Sequence, residues 1–278
     1  MPEQPPPADS AVPPSVPGEA RAGAPRLGAW LASGSLTAAE ISATSGAVFT
    51  VIDAEHGAID DTGLNVIIPM LKSLGQEVLV KVRSTGREAI QRPLDFGADG
   101  VIVPHVLGVD HAREVCGFAK FPPLGDRSLA AERALGYASL SPEWIAAQDV
   151  RTRCYAMIED ATALEEIEEI VALDVVDGVF PGPSDLAIRR GRGCYSRSVE
   201  DFADLRRIAD ACAAVGKPWI LPAWHPAEQE FAMAEGAAGI VVANEYTALS
   251  LGFTTLVADA RTRLTRSAPD DPRPTDAP

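Results

Sequence analysis

Cysteine, histidine and tryptophan are scarce in this chain, with 4 of each among 278 residues. The cysteines, Cys116, Cys154, Cys194 and Cys212, form no C-x-x-C pair. That excludes a disulfide scaffold and the common thiolate metal motifs, and predicts reduced, buried thiols in a cytoplasmic protein. No run of eighteen apolar residues occurs, so no transmembrane helix is expected. The first 25 residues lack the basic start and apolar centre of a secretory signal. Basic residues are in deficit, 24 Lys and Arg against 39 Asp and Glu, for a formal charge of −15. Such a surface repels phosphate backbones and anionic lipid, which excludes nucleic-acid and membrane partners. Small anionic substrates stay compatible, because a local basic site overcomes the global field.

Apolar residues make up 46% of the chain, enough for a sizeable core. Proline gathers at the ends, with eight residues in 1–25 and four in 267–278. Both segments read as disordered tails, which leaves one folded unit over 26–266. Within it, strands are predicted at 28–31, 48–52, 78–82, 100–103, 154–158, 176–180, 219–221 and 239–242. Several are continuous β-branched runs, as strands buried on both faces require. Amphipathic helical patterns lie between them, among them 161–173, 201–215 and 226–235. Eight strands alternating with helices predict a (β/α)8 barrel, an α/β TIM barrel. No G-x-G-x-x-G follows an early strand, which counts against a doubly wound dinucleotide fold. A long interruption at 121–141 is of the length usually kept for function.

Active sites of such barrels form at the C-terminal ends of the strands. That rule selects Asp53, Glu55 and His56 after the second strand and Lys81 and Arg83 at the third, two apart and so on one face. It also selects His105 after the fourth, Glu159 and Asp160 after the fifth, and Gly182, Pro183, Ser184 and Asp185 after the sixth. Trp224 and His225 follow the seventh strand, and Asn244 and Glu245 the eighth. Glu159 and Asp185 are two hard oxygen donors on neighbouring strands, a set that suits Mg²⁺, Mn²⁺ or Co²⁺ better than Zn²⁺. An ordinary helix-capping acid is the competing reading. His56, flanked by two acids, has the setting of a general base, against the simpler reading of a hydrogen-bonded loop histidine. His105 reads as structural beside Pro104, and His111 as a surface helix residue. Arg189, Arg190, Arg192 and Arg197 form a basic loop that either recognises an anionic substrate or makes salt bridges, the second being favoured.

Several motifs together resemble the HpcH/HpaI aldolase family of metal-dependent class II pyruvate aldolases. They are G-x-W at Gly28–Trp30, D-x-E-H at Asp53–His56, L-D-x-G at Leu94–Gly97, V-P-x-V at Val103–Val106, P-P-x-G-x-R at Pro122–Arg127, I-E at Ile158–Glu159 and V-D-G-V-F-x-G-P-x-D-L at Val176–Leu186. The resemblance implies a (β/α)8 barrel in a homo-oligomer, commonly a hexamer. It implies a lyase that cleaves or forms 4-hydroxy-2-oxo acids through a metal-bound pyruvate enolate. Glu159 and Asp185 would hold the divalent metal (Mg²⁺, Mn²⁺ or Co²⁺). The turn Gly182, Pro183, Ser184 would hold the pyruvate carboxylate, and Trp30 would wall the pocket. Arg127 belongs to a motif of the substrate site. His56 would be the base beside Asp53, supported by Asp95 from a neighbouring subunit. Partners would be pyruvate or another 2-oxo acid and an aldehyde.

The sequence departs from the family pattern where Lys81 stands in place of an arginine, with Arg83 two residues on. It departs again where Met157 replaces a polar residue and where Ser128 replaces a glycine. A lysine cannot copy a guanidinium's bidentate geometry, so a specialised aldehyde partner is expected. Three other readings use the same residues. One is oxaloacetate decarboxylation, or a biosynthetic addition, through the same enolate. Another is Schiff-base chemistry at Lys81. The third is a barrel that binds ligand without catalysis.

Overall fold

In the computed structural model, which describes residues 24–130, 133–137 and 139–266, all eight predicted strands form. They are β1 (Arg26–Leu31), β2 (Phe49–Asp53), β3 (Glu77–Lys81), β4 (Gly100–Val103), β5 (Arg153–Ile158), β6 (Gly178–Pro181), β7 (Ile220–Pro222) and β8 (Gly239–Asn244). Every pairing is parallel, in the order β6-β5-β4-β3-β2-β1-β8-β7. A parallel bridge between Val179 and Trp219 joins the two outer strands and closes the (β/α)8 barrel. The tails 1–23 and 267–278, and residues 131, 132 and 138 of the long interruption, lie outside the described residues.

Side-chain alternation explains both the continuous apolar runs and the position of the site. Leu79 faces the barrel interior while Val78 and Val80 face the helices, and the pattern recurs in Val51 against Ile52 and Met157 against Ile158. The interior is filled by Trp30, Phe49, Val51, Leu79, Ile102, Tyr155, Met157, Phe180, Ile220 and Val241. Phe49 closes the N-terminal end of the barrel because Gly28 gives its ring room: a Cβ there would lie 2.3 Å from Phe49 Cζ. Two residues beyond an interior side chain comes the next interior position. After Val51 that is Asp53, after Leu79 it is Lys81, after Met157 it is Glu159, and after Phe180 it is Gly182. The top layer of the barrel is thus polar by the same period that makes the lower layers apolar.

The helices are α1 (Leu36–Ala43), α2 (Asp61–Ser73), α3 (Arg87–Asp95), α4 (Val109–Gly117), α5 (Pro142–Arg151), α6 (Ala161–Glu165), α7 (Ile167–Val171), α8 (Pro183–Arg189), α9 (Val199–Val215), α10 (Pro226–Ala234) and α11 (Glu245–Arg266). Local signals fix several ends. The Asp60 side chain accepts the Gly63 N–H at the start of α2. Ser198 and Asp201 form a capping box on α9, which ends at Gly216 in the left-handed region (φ 69°). The single helix predicted over 161–173 is instead two, broken at Glu166. The Glu166 carboxylate is drawn to the start of α4, where it accepts the Val109 N–H at 2.7 Å. In the interruption at 121–141, a 3-10 turn forms at Arg133–Leu135. Of the cysteines, Cys116, Cys154 and Cys212 are buried as expected, but Cys194, on the loop after α8, is exposed. No described helix is long and apolar enough to cross a membrane.

The 22-residue α11 is exposed along its length and touches the barrel mainly at β8 and β1. Tyr246, Leu249, Phe253, Leu256 and Val257 recur on it at helical spacing, all exposed. Near β1, Leu27, Leu36, Ile41 and Val48 are exposed as well.

Candidate active site

At the C-terminal mouth of the barrel, Glu55 stands at the centre of a cluster. Its side chain is 8% exposed and forms a close ion pair with Lys81 Nζ, itself 5% exposed. Its other oxygen lies 2.7 Å from His105 Nε2, and His56 Nε2 lies 3.4 Å from the carboxylate. Asp53, directed inward from the end of β2, accepts the backbone N–H groups of Glu55 (3.1 Å) and His56 (3.0 Å) through Oδ1. That turn sets the placement of both residues. The His56 side chain is the most open of the cluster, at 65% exposed.

The inward position beyond Met157 is taken by Glu159, with 1% of its side chain exposed. Burial pushes its carboxyl above the ordinary range. The N–H of His105 and the charges of Lys81 and His105 oppose that shift, and the negative charge of Asp185 adds to it. Glu159 Oε1 accepts the His105 N–H at 2.7 Å and lies 3.2 Å from His105 Nδ1. Its Oε2 borders the space above Gly182, where a Cβ would sit 2.7 Å from that oxygen and 2.8 Å from Met157 Cε. Asp185 stands in the first turn of α8, exposed toward the mouth.

Among the described residues, no three or more His, Cys, Asp or Glu gather into a metal cage. The pair Glu159 and Asp185 offers two hard oxygen donors, with open space over Gly182 for water and substrate, and this set fits a divalent cation of the Mg²⁺ kind. In the following turn the Gly182 N–H is taken by Ile158 O at 2.9 Å, and Pro183 has none. The amides of Ser184 and Asp185 are therefore the ones left to face an anion.

Lys81 and Arg83, expected on one face, are separated. β3 ends at Lys81, so alternation no longer governs Arg83. The Arg83 guanidinium turns outward, donates to Ile59 O at 3.2 Å and lies 4.0 Å from Asp61. Lys81 alone occupies the interior. Trp30 walls the mouth, 6.0 Å from Phe180 and edge-on to Trp224 at 6.2 Å between ring centroids.

Asp95 and Arg127 do not join this group within one chain. Asp95 ends α3, which runs back toward the N-terminal ends of the strands. Arg127 Nη2 donates to it at 3.0 Å and its guanidinium lies over the Phe121 ring at 4.8 Å. Burial lowers the Arg127 pKa, and Asp95 opposes the shift.

Other candidates have structural work. Glu245 accepts the N–H groups of Ala32 and Ser33, each at 2.9 Å, and ties β1 to the start of α11. His225 caps α10, its Nδ1 accepting the Ala227 N–H. His111, expected on the surface, is half-buried and accepts the Leu107 N–H at 3.1 Å. The basic loop is a set of salt bridges: Arg189 to Asp160, Arg190 to Asp204, Arg192 to Asp201 and Asp204, and Arg197 to Glu228. His105 is the opposite case. Expected to be structural, it bridges two carboxylates of the site, through contacts that cross strands and leave no local signal in the sequence.

Known proteins with this arrangement of barrel and motifs agree on its family. The HpcH/HpaI aldolase/citrate lyase profile matches residues 26–256. The chain is 33% identical over 193 residues to a 2-dehydro-3,6-dideoxy-6-sulfogluconate aldolase of Pseudomonas putida, covering 69% of this chain and 75% of that one. It is 32% identical over 228 residues to a 2-keto-3-deoxy-L-rhamnonate aldolase of Klebsiella pneumoniae, covering 79% and 83%. A crystal structure of an HpcH/HpaI aldolase from Desulfitobacterium hafniense superposes with a TM-score of 0.78 at 26% identity, covering 90% of this chain and 95% of the other. The chain belongs to the HpcH/HpaI aldolase/citrate lyase family and is an enzyme of the lyase kind.

Proposed function

We propose that the chain is a metal-dependent aldolase that cleaves or forms 4-hydroxy-2-oxo acids by way of a pyruvate enolate. The observation that carries this reading is the convergence at Glu159: one buried carboxylate within the field of the Lys81 cation and of a second carboxylate, Asp185, beside an open glycine. Glu159 and Asp185 would hold the metal (Mg²⁺, Mn²⁺ or Co²⁺), which supplies a Lewis acid for the keto group of the 2-oxo acid.

The chain's own groups supply the rest. The amides of Ser184 and Asp185 receive the substrate carboxylate, and Trp30 closes one side of the pocket. Lys81, held as an ammonium by Glu55, stabilises negative charge that develops on the former keto oxygen. His56 takes the proton of the 4-hydroxyl as the C3–C4 bond breaks. The electron pair of that bond passes to C3, and the aldehyde leaves. Protonation at C3 then gives pyruvate. The pairing of Lys81 with a buried carboxylate keeps its amine protonated, which disfavours Schiff-base chemistry. The outward turn of Arg83 leaves the aldehyde side facing a lysine and a histidine, the basis for a specialised aldehyde partner.

The exposed apolar stripe of α11 and the exposed apolar residues near β1 support assembly with further copies of the chain. Asp95 and Arg127, remote from His56 within one chain, would reach a site only from such a neighbour.

The test is aldol addition of pyruvate to a panel of short aldehydes. Product should form with Mg²⁺ or Mn²⁺, stop with EDTA, and fall by about 100-fold or more in His56→Asn, the upper part of the range for a general base. Product that persists in EDTA would sink the reading.

A further inference from the structure

His105 is the only non-glycine residue next to the site with a positive φ, 54°. For a side chain with a Cβ this conformation is unfavourable and persists only where its surroundings over-determine it. The surroundings here are two carboxylates. In this conformation His105 addresses one oxygen of Glu159 twice, by its backbone N–H at 2.7 Å and by Nδ1 at 3.2 Å. The far side of the ring places Nε2 2.7 Å from Glu55 Oε1. Glu55 is in turn anchored by Lys81 and by the Asp53 turn. A free glutamate side chain has three torsions to settle. Here its Oε1 is pinned on one side, and its Oε2 is left over Gly182, facing the turn that carries Asp185.

We propose that His105 is a positioning residue that fixes the Glu159 carboxylate, through a Glu55–His105–Glu159 chain, with one oxygen held and the other presented toward Asp185 for a cation. The inference rests on the metal reading above and adds to it which residue sets the geometry of the metal carboxylate. Groups that orient a metal-binding side chain typically contribute 10- to 100-fold in affinity.

The test uses the full-length chain and Mn²⁺ alone, titrated by EPR, with pyruvate absent. His105→Asn keeps a side chain that tolerates the left-handed region but cannot span to Glu55. His105→Gly removes the unfavourable conformation altogether, so it folds at least as well as the parent. Both variants should keep the parent's melting temperature or exceed it, and both should bind Mn²⁺ about 10- to 100-fold more weakly. Mn²⁺ affinity within twofold of the parent in His105→Gly would overturn the proposal while leaving the metal reading intact. A directly coordinated nitrogen in pulsed EPR of the parent, absent in His105→Gly, would overturn it too, by making His105 a ligand. Failure of the parent to bind Mn²⁺ at all would remove both the proposal and the metal reading.

Discussion

Glu55, on the turn after β2, and Lys81, the last residue of β3, form an ion pair almost closed to solvent, with side chains 8% and 5% exposed. The pair is the means by which a cation is kept inside an otherwise acidic barrel mouth. Removing one partner strands the other, and breaking such a buried pair costs about 3–5 kcal/mol. Lys81→Met should lower the denaturant midpoint accordingly and reduce turnover by about 100- to 1,000-fold, the loss seen when a donor to a developing oxyanion is removed. Lys81→Arg should restore most of both. Equal turnover in Lys81→Met and the parent would show that the cation does not touch the reaction.

Gly182 is tested by the smallest possible addition. A Cβ there meets Glu159 Cβ and Oε2 at 2.7 Å and Met157 Cε at 2.8 Å. Gly182→Ala should displace the Glu159 carboxylate, with a stability loss of about 1–3 kcal/mol from overpacking. Mn²⁺ titration should show weaker binding in this variant. Met157→Ala added to it should recover stability more than metal affinity, because it relieves only one of the two contacts.

The acid limb of stability should depend on Asp201. Burial pushes its carboxyl up, but the N–H groups of Ser198 and Ser196 and the Arg192 guanidinium outweigh burial and hold it below the ordinary aspartate range. A carboxyl with a depressed folded pKa stabilises the fold above the unfolded value, about 3.9, and that contribution is lost as the pH falls through the folded value. Asp201→Asn should therefore melt lower than the parent at pH 7, and the gap should close on acidification below pH ~3.9. A gap of constant size down to pH 2 would assign the loss to packing instead.

The stripe on α11 predicts assembly between copies. Replacing Leu249, Phe253 and Leu256 with serine removes three exposed apolar side chains without touching the barrel core. Sedimentation should show the parent as an oligomer and the triple variant as a smaller species. A parent that sediments as a monomer would contradict this.

The barrel was legible because its signal is local. Runs such as Phe49–Asp53 and Gly239–Asn244 carry the two-sided burial of parallel strands in their own composition, and β-strand period places Asp53, Lys81 and Glu159 at one level. The D-x-E-H and G-P-x-D-L motifs marked the same mouth. What the sequence did not show depends on where an element stops or on contacts between elements. Lys81 and Arg83 share a face only while the strand continues, and β3 ends between them. The break at Glu166 follows from its long-range bond to Val109, and the role of His105 from carboxylates 50 and 54 residues away in sequence. The salt bridges of the arginine loop were anticipated, because a cation-rich loop on an acidic chain meets partners wherever it lies.

The central claim is that this barrel makes an enolate from pyruvate with a divalent cation. Deuterium exchange into the pyruvate methyl group in D₂O, followed by NMR with Mg²⁺, with Mn²⁺ and with EDTA, tests it without knowledge of the aldehyde. Exchange that requires the metal and is lost in Glu159→Gln is the predicted result. Folded protein that gives no exchange with either metal would contradict it.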